Sequence, residues 1–125
     1  PDPSGYMSAG MNKALAHIRE NLTRPFSEED LASIAGQSTS SFSRAFRQHT
    51  GMSLVQYVKR LRINLACQIL MSDEQAPITS ICFEVGYNNL SNFNRQFLAE
   101  KGMTPSQFRR LLTVTAKPAC EAVPA

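Results

Sequence analysis

The sequence predicts an all-α chain of seven helices, built as two helical subdomains joined by a long linker helix. Three observations carry this. Apolar residues recur at three- and four-residue spacing through most of the chain, the period of a helix with one buried face. No stretch shows the period-two alternation of a half-buried strand. One segment also occurs twice: FSRAFRQHTGMS, Phe42–Ser53, returns as FNRQFLAEKGMT, Phe93–Thr104.

The elements follow in order. Residues 1–9 are rich in Pro, Gly and Ser and read as a linker or disordered end. Met11, Leu15, Ile18 and Leu22 place a first helix around 9–23. Ser27 is set to cap a short second helix over 28–35, with Asp30 three residues on and Glu28 and Glu29 in the first turn. Leu31, Ile34 and Ala35 form its stripe, and Gly36 stops it. Ser38 or Thr39 caps a third helix over about 39–50, with Phe42, Ala45, Phe46 and His49 inward and Gly51 as its stop. Leu54, Tyr57, Val58, Leu61, Leu65, Ile69 and Leu70 form the longest pattern, Leu54–Met71. After SDEQAP, Ile78, Ile81, Cys82 and Val85 make a short fifth helix ended by Gly86. Asn88 or Asn89 caps a sixth over about 89–101, with Phe93 and Phe97 inward and Gly102 at its end. Thr104 caps the seventh, with Pro105 at the first helical position, where its missing N–H costs nothing. The resulting divisions are 10–53 for the first subdomain, 54–72 for the linker helix, 73–112 for the second subdomain, and 113–125 for an Ala/Pro-rich disordered tail.

Composition removes several function classes. With 125 residues and a hydrophobic fraction of 42%, the chain suits one compact domain or two very small ones and can build a core. No run approaches the ~20 apolar residues that span a bilayer, so no membrane partner is expected, and no signal-peptide pattern opens the chain. It begins at Pro1 rather than Met, and is expected to be a piece of a longer protein. Cys67, Cys82 and Cys120 are odd in number without paired spacing, which fits a reducing compartment rather than a disulfide framework. Cys67 and Cys82 lie on helices and are expected to pack; Cys120 lies in the tail. His17 and His49 are far from any Cys-x-x-Cys, so no metal site is expected, and His49 reads as a helix-end cation or surface group. No nucleophile–base set, carboxylate pair or Gly-rich phosphate loop stands at a telling spacing. Neither catalytic residues nor a cofactor are therefore expected.

The repeat carries the positive reading. A shift of 51 positions places Ala35 on Gly86, Ser40 on Ser91, Phe42 on Phe93, Arg44 on Arg95, Phe46 on Phe97, Gly51 on Gly102, Met52 on Met103, Ser53 on Thr104 and Tyr57 on Phe108, with no gap needed. Each copy is a short helix, a glycine-bearing turn and a longer helix, which is a helix-turn-helix unit. In the DNA-binding version the second helix enters the major groove. With Phe42 and Phe46 inward at i and i+4, Arg44 at i+2 points the opposite way, and Arg95 does so between Phe93 and Phe97. An outward Arg on such a helix reaches a guanine edge bidentately. A plain helical hairpin repeated for packing is the alternative. The Arg held in place in both copies, and the acid-free stretch between them, weigh against it.

Charge agrees. Net charge is +3, and from Phe42 to Ser72 there are five bases, Arg44, Arg47, Lys59, Arg60 and Arg62, and no acid. A segregated positive surface suits a polyanion; a solvated helix face that happens to be basic is the plainer reading. At ~1.5 Å per residue, the helix Leu54–Met71 spans ~27 Å, against ~34 Å between successive major-groove faces. Such a rod, with its flanking elements, can hold two recognition helices one DNA turn apart, or can simply be the longest core helix. A helical protein–protein adaptor without DNA binding stands as the competing function.

These residues match a known pattern. DLASIAGQSTSSFSRAFRQHTGMSLVQYVKRLRINLACQIL is similar to the first helix-turn-helix and linker helix of the AraC/XylS family of bacterial transcription regulators. ITSICFEVGYNNLSNFNRQFLAEKGMTPSQFRR resembles that family's signature: Ile-x-x-Ile-x-x-x-x-Gly-Tyr, then Phe-x-Arg-x-Phe, then Gly-x-Thr-Pro-x-x-Phe-Arg. The resemblance covers about Met11–Leu112. It implies two homeodomain-like helix-turn-helix units bridged by a long helix, in the C-terminal DNA-binding domain of a cytoplasmic, nucleoid-associated regulator. It further implies double-stranded promoter DNA and RNA polymerase as partners, usually for activation, and an N-terminal effector-binding or dimerisation domain missing from this fragment. Carried over residue by residue, base contacts fall on Thr39, Ser40, Ser43 and Arg44, and on Leu90, Ser91, Asn94 and Arg95. Phosphate contacts are expected from Ser38, Ser41, Arg47 and Lys59, and from Asn89, Asn92, Ser106 and Arg109. Ser and Thr discriminate bases weakly and Leu90 offers only apolar contact to a thymine methyl, so Arg44, Arg95 and Asn94 are expected to carry direct readout, with DNA shape supplying the rest.

Overall fold

A computed structural model describes the backbone of residues 3–122 and the side chains of residues 9–113. Among these residues the elements are seven helices: α1 Pro3–Glu20, α2 Glu28–Ala35, α3 Thr39–Thr50, α4 Leu54–Ser72, α5 Ile78–Glu84, α6 Leu90–Lys101 and α7 Pro105–Ala122. Five of the seven lie within about two residues of their predicted bounds. The outer two do not. Helix α1 starts at Pro3, within the segment expected to be a linker, and α7 runs on to Ala122, through most of the segment expected to be a tail. Pro3 sits at the first helical position that proline tolerates. Beyond residue 112, Ala116, Ala119 and Ala122 supply strong helix formers. Residues 1–2 and 123–125 lie outside the described residues, as does the side chain of Cys120.

Local chemistry sets the helix ends. Ser27 and Asp30 form a full capping box: the Asp30 N–H donates to Ser27 Oγ (3.1 Å) and the Ser27 N–H to Asp30 Oδ2 (3.3 Å). The same reciprocal device opens α4 through Ser53 and Gln56. It opens α7 through Thr104 and Gln107, so the repeat extends to the caps. Ser38 caps α3 and Asn89 caps α6. Gly51 and Gly102 end those two helices at φ 78° and 76°, each returning its N–H to the carbonyl four residues back.

The chain divides into two compact units, Pro1–Arg62 and Ile63–Ala125. The division falls inside α4, which contributes residues to both units. Leu54, Tyr57, Val58 and Leu61 pack on the first core, which holds Met11, Ala14, Leu15, Ile18, Leu31, Ala32, Phe42 and Phe46. Ile63, Ala66, Cys67 and Leu70 belong to the second core, with Ile81, Cys82, Val85, Tyr87, Phe93 and Phe97. An apolar stripe unbroken along the helix allows this. Burial raises the pKa of both Cys67 and Cys82, partly offset at Cys67 by the charge of Lys101. Both are free, buried thiols that pack, as expected.

One residue in the first unit is fixed by space alone. Gly10 lies inside α1, where a Cβ would stand 2.6 Å from the carbonyl oxygen of Ala35 at the end of α2. In an open helix, Gly→Ala stabilises by about 0.8–1 kcal/mol. Here the sign should reverse: Gly10→Ala is expected to lower the thermal midpoint, because the obstruction is backbone. A midpoint that rises, read by circular dichroism, would show that α1 and α2 do not approach so closely.

Candidate nucleic-acid interface

Each unit builds its candidate interface on one aromatic clamp. In the first, Phe42 and Phe46 are fully buried, 5.7 Å apart by ring centroids, and Tyr57 of α4 meets Phe46 edge-on at 5.1 Å. In the second, Phe93 and Phe97 are fully buried at 6.0 Å, and Phe108 of α7 meets Phe97 edge-on at 5.7 Å. Such pairs add about 0.5–1.5 kcal/mol beyond their buried area. With two rings of each helix held, rotation about its axis is fixed. Arg44 and Arg95, at i+2 between the rings, therefore face away from the core, and both are exposed. His49, expected on the inner face of α3, is exposed instead; it stands in the last turn, beyond the reach of the clamp.

The remaining sequence-predicted positions fall as follows. On α3, Thr39, Ser40 and Ser43 are exposed beside Arg44; on α6, Leu90 and Ser91 are exposed beside Arg95, while Asn94 is half-buried. Ser38 and Asn89 spend their side chains on capping, accepting from the N–H of Ser41 (3.3 Å) and Asn92 (2.8 Å). Ser38, Ser41, Arg47, Asn89 and Ser106 are exposed, and Lys59 and Asn92 half-buried. Sequence reasoning passed over Gln48, exposed one turn after Arg44, and Leu98, exposed at the matching turn of α6. The helical period alone would have found both.

Two arginines turn inward. Arg109 donates through Nη2 to the carbonyls of Asp73 (3.4 Å) and Ala76, in the loop before α5. Arg62, counted in the basic run, donates to the carbonyls of Leu22 (2.9 Å) and Arg24 (3.5 Å), in the loop before α2. In each unit, then, an arginine from the helix that follows the helix pair satisfies loop carbonyls ahead of the first helix of that pair. Charged donors suit this role because they bond carbonyls strongly.

The repeat also carries a break in register. In the first turn the Gly36 N–H bonds the Ser33 carbonyl and the Gln37 N–H the Ala32 carbonyl; in the second, Gly86 bonds Phe83 and Tyr87 bonds Cys82. These are the same helix-ending motif, at φ 73° and 104° for the two glycines. Gly36 thus corresponds to Gly86, fifty residues on, and not to Tyr87, whereas the phenylalanines correspond at fifty-one. The gapless alignment of Ala35 with Gly86 is therefore wrong at the turn. The second turn is one residue longer, and the extra length seats Tyr87 in the core, 5.4 Å from Phe93.

Two helix pairs of this kind, each joined by a short turn, define the helix-turn-helix class. The comparisons agree. The profile of a family described as "Helix-turn-helix domain" matches residues 31–111. The chain is 33% identical over 101 residues to the HTH-type transcriptional activator RhaR of Escherichia coli K12, covering 81% of this chain and 36% of RhaR. The chain thus spans about a third of the length of that relative. A transcriptional regulator of Chromobacterium violaceum, titled as containing an AraC-type DNA-binding domain, superposes with a TM-score of 0.77 at 25% identity, over 84% of this chain and 93% of that one. A probable AraC family regulator of Rhodopseudomonas palustris gives 0.73 at 27%, over 83% and 97%. The chain belongs to the AraC family of helix-turn-helix, DNA-binding domains of transcription regulators.

The inward arginines separate structure from contact. Arg109→Ala is expected to destabilise the second unit by about 1–3 kcal/mol, while Arg110→Ala at the exposed neighbouring position leaves stability unchanged. Urea unfolding checks both. Equal, negligible effects would return Arg109 to the solvent-facing phosphate role that sequence reasoning gave it.

Proposed function

We propose that this chain binds double-stranded promoter DNA sequence-specifically, with α3 and α6 inserted into adjacent major grooves, as the DNA-reading part of a transcriptional activator. The observation that carries the reading is the paired arrangement of an exposed Arg opposite a buried Phe pair, made once in each unit. Arg44 and Arg95 are the bidentate guanine readers, and Asn94 reads adenine. Thr39, Ser40, Ser43 and Ser91 add weakly discriminating bonds, and Leu90 meets a thymine methyl. Ser38, Ser41, Arg47, Lys59, Asn89, Asn92 and Ser106 position the domain on phosphates without specifying sequence. Arg109 contributes less to this set than its charge implies, because its guanidinium serves the loop before α5. Activation through RNA polymerase, a companion effector-binding or dimerisation domain, and a place at the nucleoid in the cytoplasm complete the proposal. The description of RhaR as a transcriptional activator supports the activating role, and the share of RhaR left unmatched supports a companion domain.

Affinity for duplex DNA should fall steeply with salt, as counterion release requires; a protein–protein adaptor would show no such slope. Arg95→Ala should weaken binding to a selected site by about 1–3 kcal/mol and relax preference at one base pair. Lys59→Ala should weaken every sequence alike and flatten the salt slope. Fluorescence anisotropy on selected and random duplexes reads both. Equal loss on the two duplexes for Arg95→Ala would remove it from base readout.

A further inference from the structure

The outer faces of α3 and α6 differ in chemistry. Homeodomain recognition helices read the groove from positions i, i+3, i+4 and i+7. Counted from the first serine of each helix, exposed in both, that register falls on Ser40, Ser43, Arg44 and Arg47 in α3 and on Ser91, Asn94, Arg95 and Leu98 in α6. The first set is polar throughout and carries two arginines. The second ends on a leucine, 48% exposed, where its counterpart has Arg47. Leu90, 37% exposed, stands on the same line of α6 as Asn94 and Leu98, at i, i+4 and i+8. Two large apolar side chains thus bracket Asn94 and Arg95 on a face whose core-side anchoring is already complete in Phe93 and Phe97. In a major groove, the one apolar feature that a base edge offers is the thymine C5-methyl.

We propose that Leu98, together with Leu90, makes α6 a reader of thymine methyl groups. The half-site under the second unit then holds thymine flanking the bases that Arg95 and Asn94 bond, while the half-site under the first is read by hydrogen bonds and charge alone. This rests on the DNA-binding reading given above and adds Leu98 as a specificity-determining residue. It also accounts for a recognition helix that gives up a cation at a groove-facing position: Arg47 adds electrostatic affinity on any sequence, whereas Leu98 adds affinity only where a methyl group is present.

The test uses the best duplex recovered by in vitro selection from a random pool. Each thymine in it is replaced in turn by deoxyuridine, which removes the methyl group and leaves the base pair intact. Binding of the wild-type chain should weaken about fourfold at one or two thymines, the loss that uncovering one methyl-sized group corresponds to. Leu98→Ala should bind the unsubstituted duplex more weakly, lose the penalty at one of those positions, and keep the salt slope and thermal midpoint of the wild type. Leu90→Ala should do the same at the other. If deoxyuridine is tolerated at every position, or if its penalties survive in both leucine variants, the inference is overturned while DNA binding stands. If selection enriches no duplex at all, the DNA-binding reading itself fails.

Discussion

The interface depends on a pair of phenylalanines one helical turn apart. In an isolated helix no side chain has a preferred direction relative to anything else. Once Phe42 and Phe46 are both fully buried and Tyr57 closes on Phe46, α3 has one rotational setting, and with it one set of outward residues. Phe93, Phe97 and Phe108 do the same for α6. The caps decide where each helix starts and stops, but the rings decide which way it faces. The outward direction of Arg44 and Arg95 is therefore a consequence of packing: a side chain with no part in the core is aimed by two that make it.

Much of this was legible in the residues. Ser27 with Asp30, Pro105 after Thr104, and the glycines at 36, 51 and 102 mark helix ends through mechanisms that act over three or four residues, so the local sequence contains the whole cause. The inward phenylalanines and outward arginines of α3 and α6 followed from period alone, whereas His49, expected inward on the same ground, is exposed. What escaped depends on distant partners. Nothing around Arg109 or Arg62 announces that the carbonyls of Ala76 and Leu22 will lie beside them, since those contacts link residues more than thirty positions apart. A basic run read from sequence consequently counts charge that the fold has already used. The longer second turn was legible in principle, because Gly36 and Gly86 lie one residue out of step with the phenylalanines. A glycine on each side of an ungapped alignment hid it.

The two units share a clamp and differ in what they present. α3 carries Arg44, Arg47 and His49 with no acid, whereas α6 carries Glu100 beside Arg95 and Lys101 in its sequence and leaves Leu90 and Leu98 exposed. Under two-groove docking, the first unit contributes most of the electrostatic affinity and the second most of the sequence discrimination that does not depend on salt. Such a division separates holding from reading, and lets either be tuned without disturbing the clamp that both copies use.

Two-groove docking is tested most directly by guanine-N7 methylation interference on a selected duplex. Arginines reading guanine from α3 and α6 should produce two clusters of interfering guanines on one face of the DNA, centred about 10–10.5 base pairs apart. A single cluster, or two on opposite faces, would contradict it.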